Sequence, residues 1–126
     1  MLKNASVAPT LPAVDLKRAR KFYEEKLGLK VVKEDPSPGI TFQAGNNTMI
    51  YVYQRGATKA DHTVASFSVN DVEAEVRELQ AKGVKFEEYN LPGMGIKTSK
   101  GVATVDGFKV AWFKDTEGNI LSISNI

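Results

Sequence analysis

The 126-residue chain contains no cysteine and a single histidine, His62. The absence of cysteine excludes disulfides, thiolate metal sites and cysteine nucleophiles, and it is what we expect of a protein in a reducing cytoplasm. Neither sign of charge dominates, because 17 lysines and arginines stand against 15 aspartates and glutamates. A chain with so small a net charge gives no reason to expect nucleic acid or an anionic membrane as a partner.

Long apolar runs are also missing. No stretch approaches the roughly 18 apolar residues that span a bilayer, and Met1 to Val14 lacks the apolar core of a signal peptide. We therefore expect neither a membrane segment nor a secretory leader. The hydrophobic content of 42% and the charged content of 25% are typical of a globular protein. A chain of this length predicts one domain, or two small modules that share a core.

The pattern of elements occurs twice along the chain. Asp15 and Asp71 each precede an amphipathic stretch and are suitable helix N-caps, and Gly28 and Gly83 end these stretches. In both halves a β-like run precedes the helix and further β-like runs follow it. The pattern predicts an α+β protein in which the order β-α-β-β-β is repeated.

The domain organisation follows from this repeat. We expect a single domain over residues 1–126, made of one module at about 1–54, a polar linker at about 55–61 and a second module at about 62–126. Within the second module, residues 84–89 are predicted as a strand. Residues 90–101 contain one proline and three glycines, so a loop is predicted there, and its length indicates a functional role.

The closing segment Trp112–Ser122 reads WFKDTEGNILS. Together with the two capped helices, this segment resembles the vicinal oxygen chelate superfamily of glyoxalase I, bleomycin-resistance proteins, fosfomycin-resistance proteins and extradiol dioxygenases. The resemblance covers nearly the whole chain, although Thr116 stands where family members usually carry proline. It implies two βαβββ modules that form a curved mixed sheet around a cleft.

Family members usually hold a divalent metal ion in this cleft. The resemblance implies that the four ligand positions are occupied here by Ala8, Tyr51, Val64 and Ser122. Alanine and valine have no donor atom, serine is a poor ligand and tyrosine is an unusual one. We therefore expect no metal ion and no other cofactor.

Side chains alternate between the two faces of a strand, so the implied ligand positions also indicate which neighbours face the cleft. The opposite faces should pack beneath the helices. A lining of aromatic rings and hydroxyl groups suits a planar ligand held by stacking and a few hydrogen bonds. The predicted ligand-binding residues are Phe42, Met49, Tyr51, Tyr53, His62, Val64, Ser66, Phe108, Val110, Trp112, Ser122 and Ser124.

The roles of His62 and of the aromatic side chains each have an alternative interpretation. His62, beside Asp61, is either an exposed loop residue or a general base or hydrogen-bonding group at the rim of the cleft. The aromatic side chains either contact a ligand or fill the cleft themselves. Residues 91–100 could close over a bound ligand, because their glycines permit movement.

Three functions are compatible with the sequence. The first is a metal-free protein that binds a neutral planar or apolar compound such as an antibiotic or xenobiotic. A cationic drug is disfavoured, since none of the residues predicted to face the cleft is acidic. The second is a glyoxalase-like lyase, dioxygenase or transferase with a divergent or metal-independent site, although no catalytic residue can be assigned. The third is an interaction module. Strand edges predict a homodimer, with the cleft built either within one subunit or across two.

Overall fold

The two aspartates predicted as N-caps begin the two helices. In the computed structural model, which describes all 126 residues, the carboxylate of Asp15 accepts a hydrogen bond from the Arg18 N–H at 3.0 Å, and that of Asp71 accepts one from the Ala74 N–H at 3.0 Å. The chain forms two compact units, Met1–Thr58 and Lys59–Ile126. The predicted α+β class with a repeated module is confirmed, and no helix is long and apolar enough to cross a membrane.

The first unit contains one helical segment and a four-stranded sheet. Helix α1 (Leu16–Lys21) continues as a π-helical turn (Phe22–Lys26). The sheet has the order β1-β4-β3-β2, with β1 parallel to β4 and the other neighbours antiparallel. Its strands are β1 (Thr10–Ala13), β2 (Lys30–Asp35), β3 (Gly39–Gln43) and β4 (Met49–Gln54).

The helical segment covers one face of this sheet. The Tyr23 ring lies 5.2 Å from the Phe42 ring, measured between centroids, and Arg20 forms an ion pair with Glu34 on β2. The side chains on the covered face are buried and apolar, so this face is the core of the unit. Its members are Leu11, Ala13, Ile40, Phe42, Ile50 and Val52.

Phe42 is therefore not a cleft residue, and its prediction as a ligand contact is wrong. Antiparallel pairing places Phe42 opposite Ile50 and Thr41 opposite Tyr51, and paired residues point to the same face. Phe42 is 0% exposed beneath the helix, and β3 contributes Thr41 to the open face instead. The expected parity of β3 was shifted by one residue.

The second unit contains helix α2 (Val72–Ala81) and a six-stranded sheet of order β5-β10-β9-β8-β7-β6. Strand β10 is parallel to β5, as β4 is parallel to β1 in the first unit, and the other pairs are antiparallel. The strands are β5 (Thr63–Ser68), β6 (Asn90–Leu91), β7 (Ile96–Ser99), β8 (Val102–Val105), β9 (Phe108–Lys114) and β10 (Ile120–Ser124).

Helix α2 covers one face of the second sheet. Lys109 on β9 forms an ion pair with Glu73 on α2, and Ala111 and Phe113 share the face of Lys109 because they follow it at intervals of two. The residues that the sequence places beneath the helix on β9 and β10 are buried: Ala111, Phe113, Leu121 and Ile123. The opposite face is the open face of this unit.

Two local predictions in the second unit are wrong. Residues 84–89 form a single bridge, Phe86 to Phe113, in place of a regular strand. Residues 90–101 contain β6, a 3-10 turn (Pro92–Met94) and β7, which pairs with β8. Because their backbone belongs to a ladder and Thr98 is only 7% exposed, these residues are not a free loop poised to close over a ligand.

Candidate functional site

The open face of the first sheet carries two parallel tyrosine rings. Tyr51 and Tyr53 lie two residues apart on β4, with ring centroids 6.4 Å apart and ring planes within 8° of each other. Met49 precedes them on the same face and is half-buried. A shallow depression of about 350 Å³ lies beside the rings, lined by Thr10, Ser37, Pro38, Tyr51, Tyr53 and Gln54.

Tyr51 lies across the neighbouring strand β3. Its side chain fills the space above Gly39, where a Cβ atom would overlap the Tyr51 hydroxyl. The hydroxyl then reaches Asp35 on β2 and donates a hydrogen bond to its carboxylate. Burial raises the pKa of Tyr51, and the bond to the Asp35 carboxylate raises it further, since both favour the protonated phenol. Lys33 lies beside this pair, with its Nζ 3.4 Å from an Asp35 oxygen.

Asp35 is an acidic group on a face where the sequence predicts none. A bulge at Val32 shifts the register between β2 and β3, so that Val31 pairs with Phe42 while Lys33 pairs with Thr41. A one-residue shift moves the following side chains to the other face of the sheet. The bulge therefore brings Asp35 to the open face beside the tyrosines.

The open face of the second sheet carries an indole and a row of serines. Trp112 on β9 pairs with Ser122 on β10, and Ser122 pairs with Ser66 on β5, so these three side chains form one row across the sheet. The Ser122 hydroxyl donates to the Ser66 oxygen at 2.8 Å, and the indole N–H donates to the Thr63 hydroxyl at 3.2 Å. Because Ser122 is 4% exposed and Ser66 is exposed, the Ser66 hydroxyl is the one that a ligand could reach.

Other predicted residues lie around this row. Val110 pairs with Ser124 in the next row of the same face, and Phe108 lies beyond Val110 with 44% of its surface exposed. Val64 lies at a register shift between β5 and β10, where the extra residue has no partner on β10. These positions extend the open face on both sides of the serine row.

His62 does not join this set. It precedes β5, its side chain is 72% exposed, and its Nδ1 atom lies 3.2 Å from the Asp61 carboxylate. This is the geometry of an exposed loop residue, and a role at the rim of a ligand site stays a prediction.

Tyr89 lies against Trp112 and is absent from the predicted set. The centroids of the two rings are 5.4 Å apart and their planes meet at 74°. Burial raises the pKa of Tyr89, and the nearby charge of Glu87 raises it further. The contact with Trp112 places Tyr89 on the open side. The sequence carries no sufficient signal for this, because residues 84–89 do not form a regular strand and only Phe86 makes a bridge, to Phe113.

The four positions at which the resemblance implies metal ligands do not fit a divalent cation. Ala8 and Val64 have no donor atom, the Tyr51 hydroxyl is bonded to Asp35, and the Ser122 hydroxyl is bonded to Ser66. Nowhere in the chain do three His, Cys, Asp or Glu side chains form a group that could hold a metal ion. No chemistry that requires a metal ion is therefore assigned to these residues.

Several solved structures share the fold at low sequence identity. Lactoylglutathione lyase from Agrobacterium tumefaciens is 18% identical with a TM-score of 0.70, covering 97% of this chain and 94% of that one. TnmS3, an antibiotic binding protein from Streptomyces sp. CB03234, is 19% identical with a TM-score of 0.66, covering 95% of each chain. SMU.1112c is 23% identical with a TM-score of 0.71, covering 97% and 99%.

At these identities the structural likeness establishes the fold alone. A comparison with curated proteins found no match. The family model described as "Glyoxalase/Bleomycin resistance protein/Dioxygenase superfamily" matches residues 6–123, nearly the whole chain. This protein therefore belongs to the glyoxalase/bleomycin resistance protein/dioxygenase superfamily.

Proposed function

We propose that this protein binds a small planar organic molecule without a metal ion and carries out no reaction on it. The observation that supports this most concerns the four positions at which the family usually has metal ligands. Two of their side chains have no donor atom, and the hydroxyls of Tyr51 and Ser122 are bonded to other side chains. The aromatic and hydroxyl groups of the open faces remain for ligand contact. Such a lining recognises shape and a few acceptor atoms.

Trp112 and Ser66 supply the two kinds of contact that the second open face offers. The indole provides a large flat surface for stacking, and its N–H already has a partner in Thr63, so stacking is its remaining interaction. The Ser66 oxygen accepts from Ser122, which leaves the Ser66 O–H free to donate to a ligand. Accepting one hydrogen bond polarises a hydroxyl and strengthens the next bond it donates. A flat ligand with a carbonyl or ether oxygen fits this pair.

The first open face offers a different surface. The parallel rings of Tyr51 and Tyr53 lie beside the depression near Pro38, which suits an apolar or planar group. We propose both faces as ligand surfaces, and each can be tested by itself. The proposed direct contacts are Met49, Tyr51, Tyr53, Val64, Ser66, Phe108, Val110 and Trp112. The buried Ser122 and Ser124 support this face from below, and a contact by His62 at its rim stays a prediction.

An antibiotic or another xenobiotic is the class of ligand to test first. TnmS3, which shares the fold, is described as an antibiotic binding protein. We further propose that the protein acts in the cytoplasm, because a chain without cysteine suits a reducing compartment. A homodimer is proposed as well, since the strands at the ends of each sheet have one side unpaired within that sheet.

The alternative is a metal-independent enzyme, and the Tyr51–Asp35 pair is the observation that favours it. A phenol bonded to a carboxylate is a coupled acid and base, and such groups carry proton transfer in other enzymes. Formation of lactoylglutathione by chelator-treated protein, abolished by Tyr51→Phe, would establish the alternative. We expect no turnover.

Binding of 1-aminoanthracene, a neutral planar fluorophore, tests the proposal. We expect saturable binding to chelator-treated protein and a rise in the unfolding temperature, because a ligand that binds only the folded state stabilises it. Trp112→Leu should weaken binding about 10-fold or more, since buried tryptophan contacts carry much of the binding free energy. Leu91→Ala, on the exposed strand β6, is the control that should leave binding unchanged. Binding of equal strength to the Trp112 variant would refute this site.

A further inference from the structure

Residues 84–89, which we term the strap, continue the edge of the second sheet. Strand β8 pairs with the first half of β9, residues 108–110, and the strap lies beside the second half. The Glu87 N–H donates to the Trp112 carbonyl at 2.8 Å, so the strap is bonded to the residue that carries the indole. The position of the strap therefore determines what lies beside Trp112.

The end of the strap is joined to β7 by four hydrogen bonds of Thr98, of which the longest runs from its hydroxyl to the Tyr89 carbonyl at 3.3 Å. The Thr98 N–H donates to the Tyr89 carbonyl at 2.8 Å, and the Tyr89 N–H donates to the Thr98 hydroxyl oxygen at 2.7 Å. The Thr98 hydroxyl in turn donates to Glu88 Oε2 at 2.9 Å. Thr98 is only 7% exposed, so its hydroxyl depends on these partners.

The other oxygen of Glu88 accepts from the backbone N–H of Gly101. Gly101 is buried, and its φ of 82° places it in the left-handed region, at the turn between β7 and β8. A Cβ atom at Gly101 would lie 3.0 Å from Cβ of Phe86, so this turn packs directly against the strap. The Glu88 carboxylate thus joins the strap to Thr98 on β7 and to Gly101 in the turn that follows β7.

We propose that Tyr89 is a further ligand-contacting residue of the Trp112 face and that Glu88, acting through Thr98, is the residue that positions it. This inference rests on the proposed function, because the ligand is the one that stacks on Trp112. The two rings meet at 74° with centroids 5.4 Å apart, an edge-to-face contact, so a ligand that stacks on the accessible part of the half-buried Trp112 lies beside Tyr89. A planar ligand stacked on one ring presents its positively polarised edge to the face of the other.

A ligand that contacts both rings must be flat enough to stack on Trp112 and must reach Tyr89 at its edge. Because Tyr89 has only two side-chain torsions and its backbone is bonded to Thr98, the ring is held in place before the ligand arrives. Loss of the Glu88 carboxylate leaves the buried Gly101 N–H without its acceptor, and it leaves the Thr98 hydroxyl with only the Tyr89 carbonyl, at 3.3 Å, to donate to. The end of the strap should then be held less tightly, and the Tyr89 ring should lose part of its fixed orientation.

Trp112 is the only tryptophan in the chain, which provides a readout that needs no ligand. Its near-ultraviolet circular dichroism and fluorescence depend on the neighbouring Tyr89 ring. Glu88→Ala should reduce the tryptophan dichroism bands, and Glu88→Gln should retain most of them, since an amide oxygen can still accept from Gly101. Lys85→Ala is the matched control, because Lys85 is an exposed residue of the strap. Thr98→Val removes the hydroxyl with little change in shape and tests the same network if Glu88→Ala unfolds, and Thr98→Ser, which keeps the hydroxyl, is its control.

Affinity for 1-aminoanthracene supplies the second readout. We expect Tyr89→Ala and Glu88→Ala to weaken binding about 2- to 10-fold, the range of one aromatic contact, while Tyr89→Phe and Lys85→Ala remain near wild type. Unchanged tryptophan dichroism in Glu88→Ala would overturn the positioning role. Unchanged affinity in Tyr89→Ala, with affinity lost in Trp112→Leu, would overturn the Tyr89 contact and leave the proposed function intact. No binding by the wild-type protein would overturn the proposed function and the Tyr89 contact together, whereas the ligand-free spectra decide the role of Glu88.

Discussion

The Tyr51 side chain occupies the space above Gly39 that a Cβ atom would need, and in that position its hydroxyl reaches Asp35. The absence of a side chain at residue 39 is thus a condition for the tyrosine–carboxylate pair. The atoms that a Cβ would meet are at the far end of the tyrosine, which can rotate away.

Gly39→Ala should therefore displace Tyr51 at little cost in stability. We expect the hydrogen bond to Asp35 to break, and the pKa of Tyr51 to fall towards the ordinary tyrosine value, because the carboxylate no longer favours the protonated phenol. Ultraviolet titration of tyrosinate, with Tyr51→Phe to assign the signal, measures this change. Gly45→Ala, where a Cβ would meet nothing within 4 Å, is the control. An unchanged Tyr51 titration in Gly39→Ala would show that a Cβ atom at residue 39 does not displace the Tyr51 side chain.

Ser66 is expected to donate a hydrogen bond to the ligand, and Ser68 provides a matched comparison. Both serines are exposed on β5 two residues apart, but only Ser66 accepts from the buried Ser122 hydroxyl. Ser66→Ala should weaken binding of 9-fluorenone, which has a carbonyl, by about 2- to 10-fold, the range for one hydrogen bond. Binding of fluorene, which lacks the carbonyl, should not change. Equal effects on both compounds would show that Ser66 contacts the ligand without donating a hydrogen bond to its carbonyl.

Asp115 stabilises the turn between β9 and β10. Its carboxylate accepts from the backbone N–H groups of Glu117 and Asn119 at 2.8 and 2.9 Å, and from the Asn119 amide at 2.8 Å. Asp115 is 6% exposed and Asn119 is 1% exposed, so removal of the carboxylate takes away a buried acceptor that three donors of the turn share. Asp115→Ala should lower the free energy of unfolding by about 3 kcal/mol.

Urea denaturation measures the effect of Asp115→Ala, and Asp61→Ala is its control. The Asp61 side chain is 100% exposed, so its loss should change stability by no more than about 0.5 kcal/mol. A comparable loss in the two variants would show that the turn does not depend on the buried carboxylate.

Alkaline pH should weaken the fold through Tyr89. Its pKa is raised above the ordinary value, first by burial and then by Glu87, so the folded state favours the protonated phenol. The stabilisation is complete below the unfolded pKa of about 10 and is lost as pH rises through the folded pKa. Tyr89→Phe should flatten the fall in the free energy of unfolding above about pH 10. If the free energy of unfolding of Tyr89→Phe fell as steeply as that of the wild type, the raised pKa of Tyr89 would be contradicted.

The helices, their caps and most strands could be predicted, because each depends on local chemistry. Asp15 and Asp71 cap through their own side chains, as predicted. On β9 and β10 the predicted faces also agree with the register. Alternation in a regular strand is sufficient to derive them.

The errors arise where pairing departs from regular geometry. The bulge at Val32 is a property of two strands together, so no local pattern indicates that Asp35 reaches the open face. Phe42 was assigned to the wrong face because the register of β3 is set by its neighbours. The glycines that suggest a loop at residues 90–101 include Gly95 and Gly101, which adopt positive φ at turns flanking short strands.

Native mass spectrometry of protein purified without a metal-affinity step or chelator tests metal-free binding most directly. The protein is measured alone and after addition of 1-aminoanthracene. We predict a mass without a divalent metal ion and the uptake of the probe by this metal-free form. A stoichiometric metal ion on the purified protein, or binding of the probe only after metal is added, would contradict the assignment of Ala8, Tyr51, Val64 and Ser122 as positions that hold no metal.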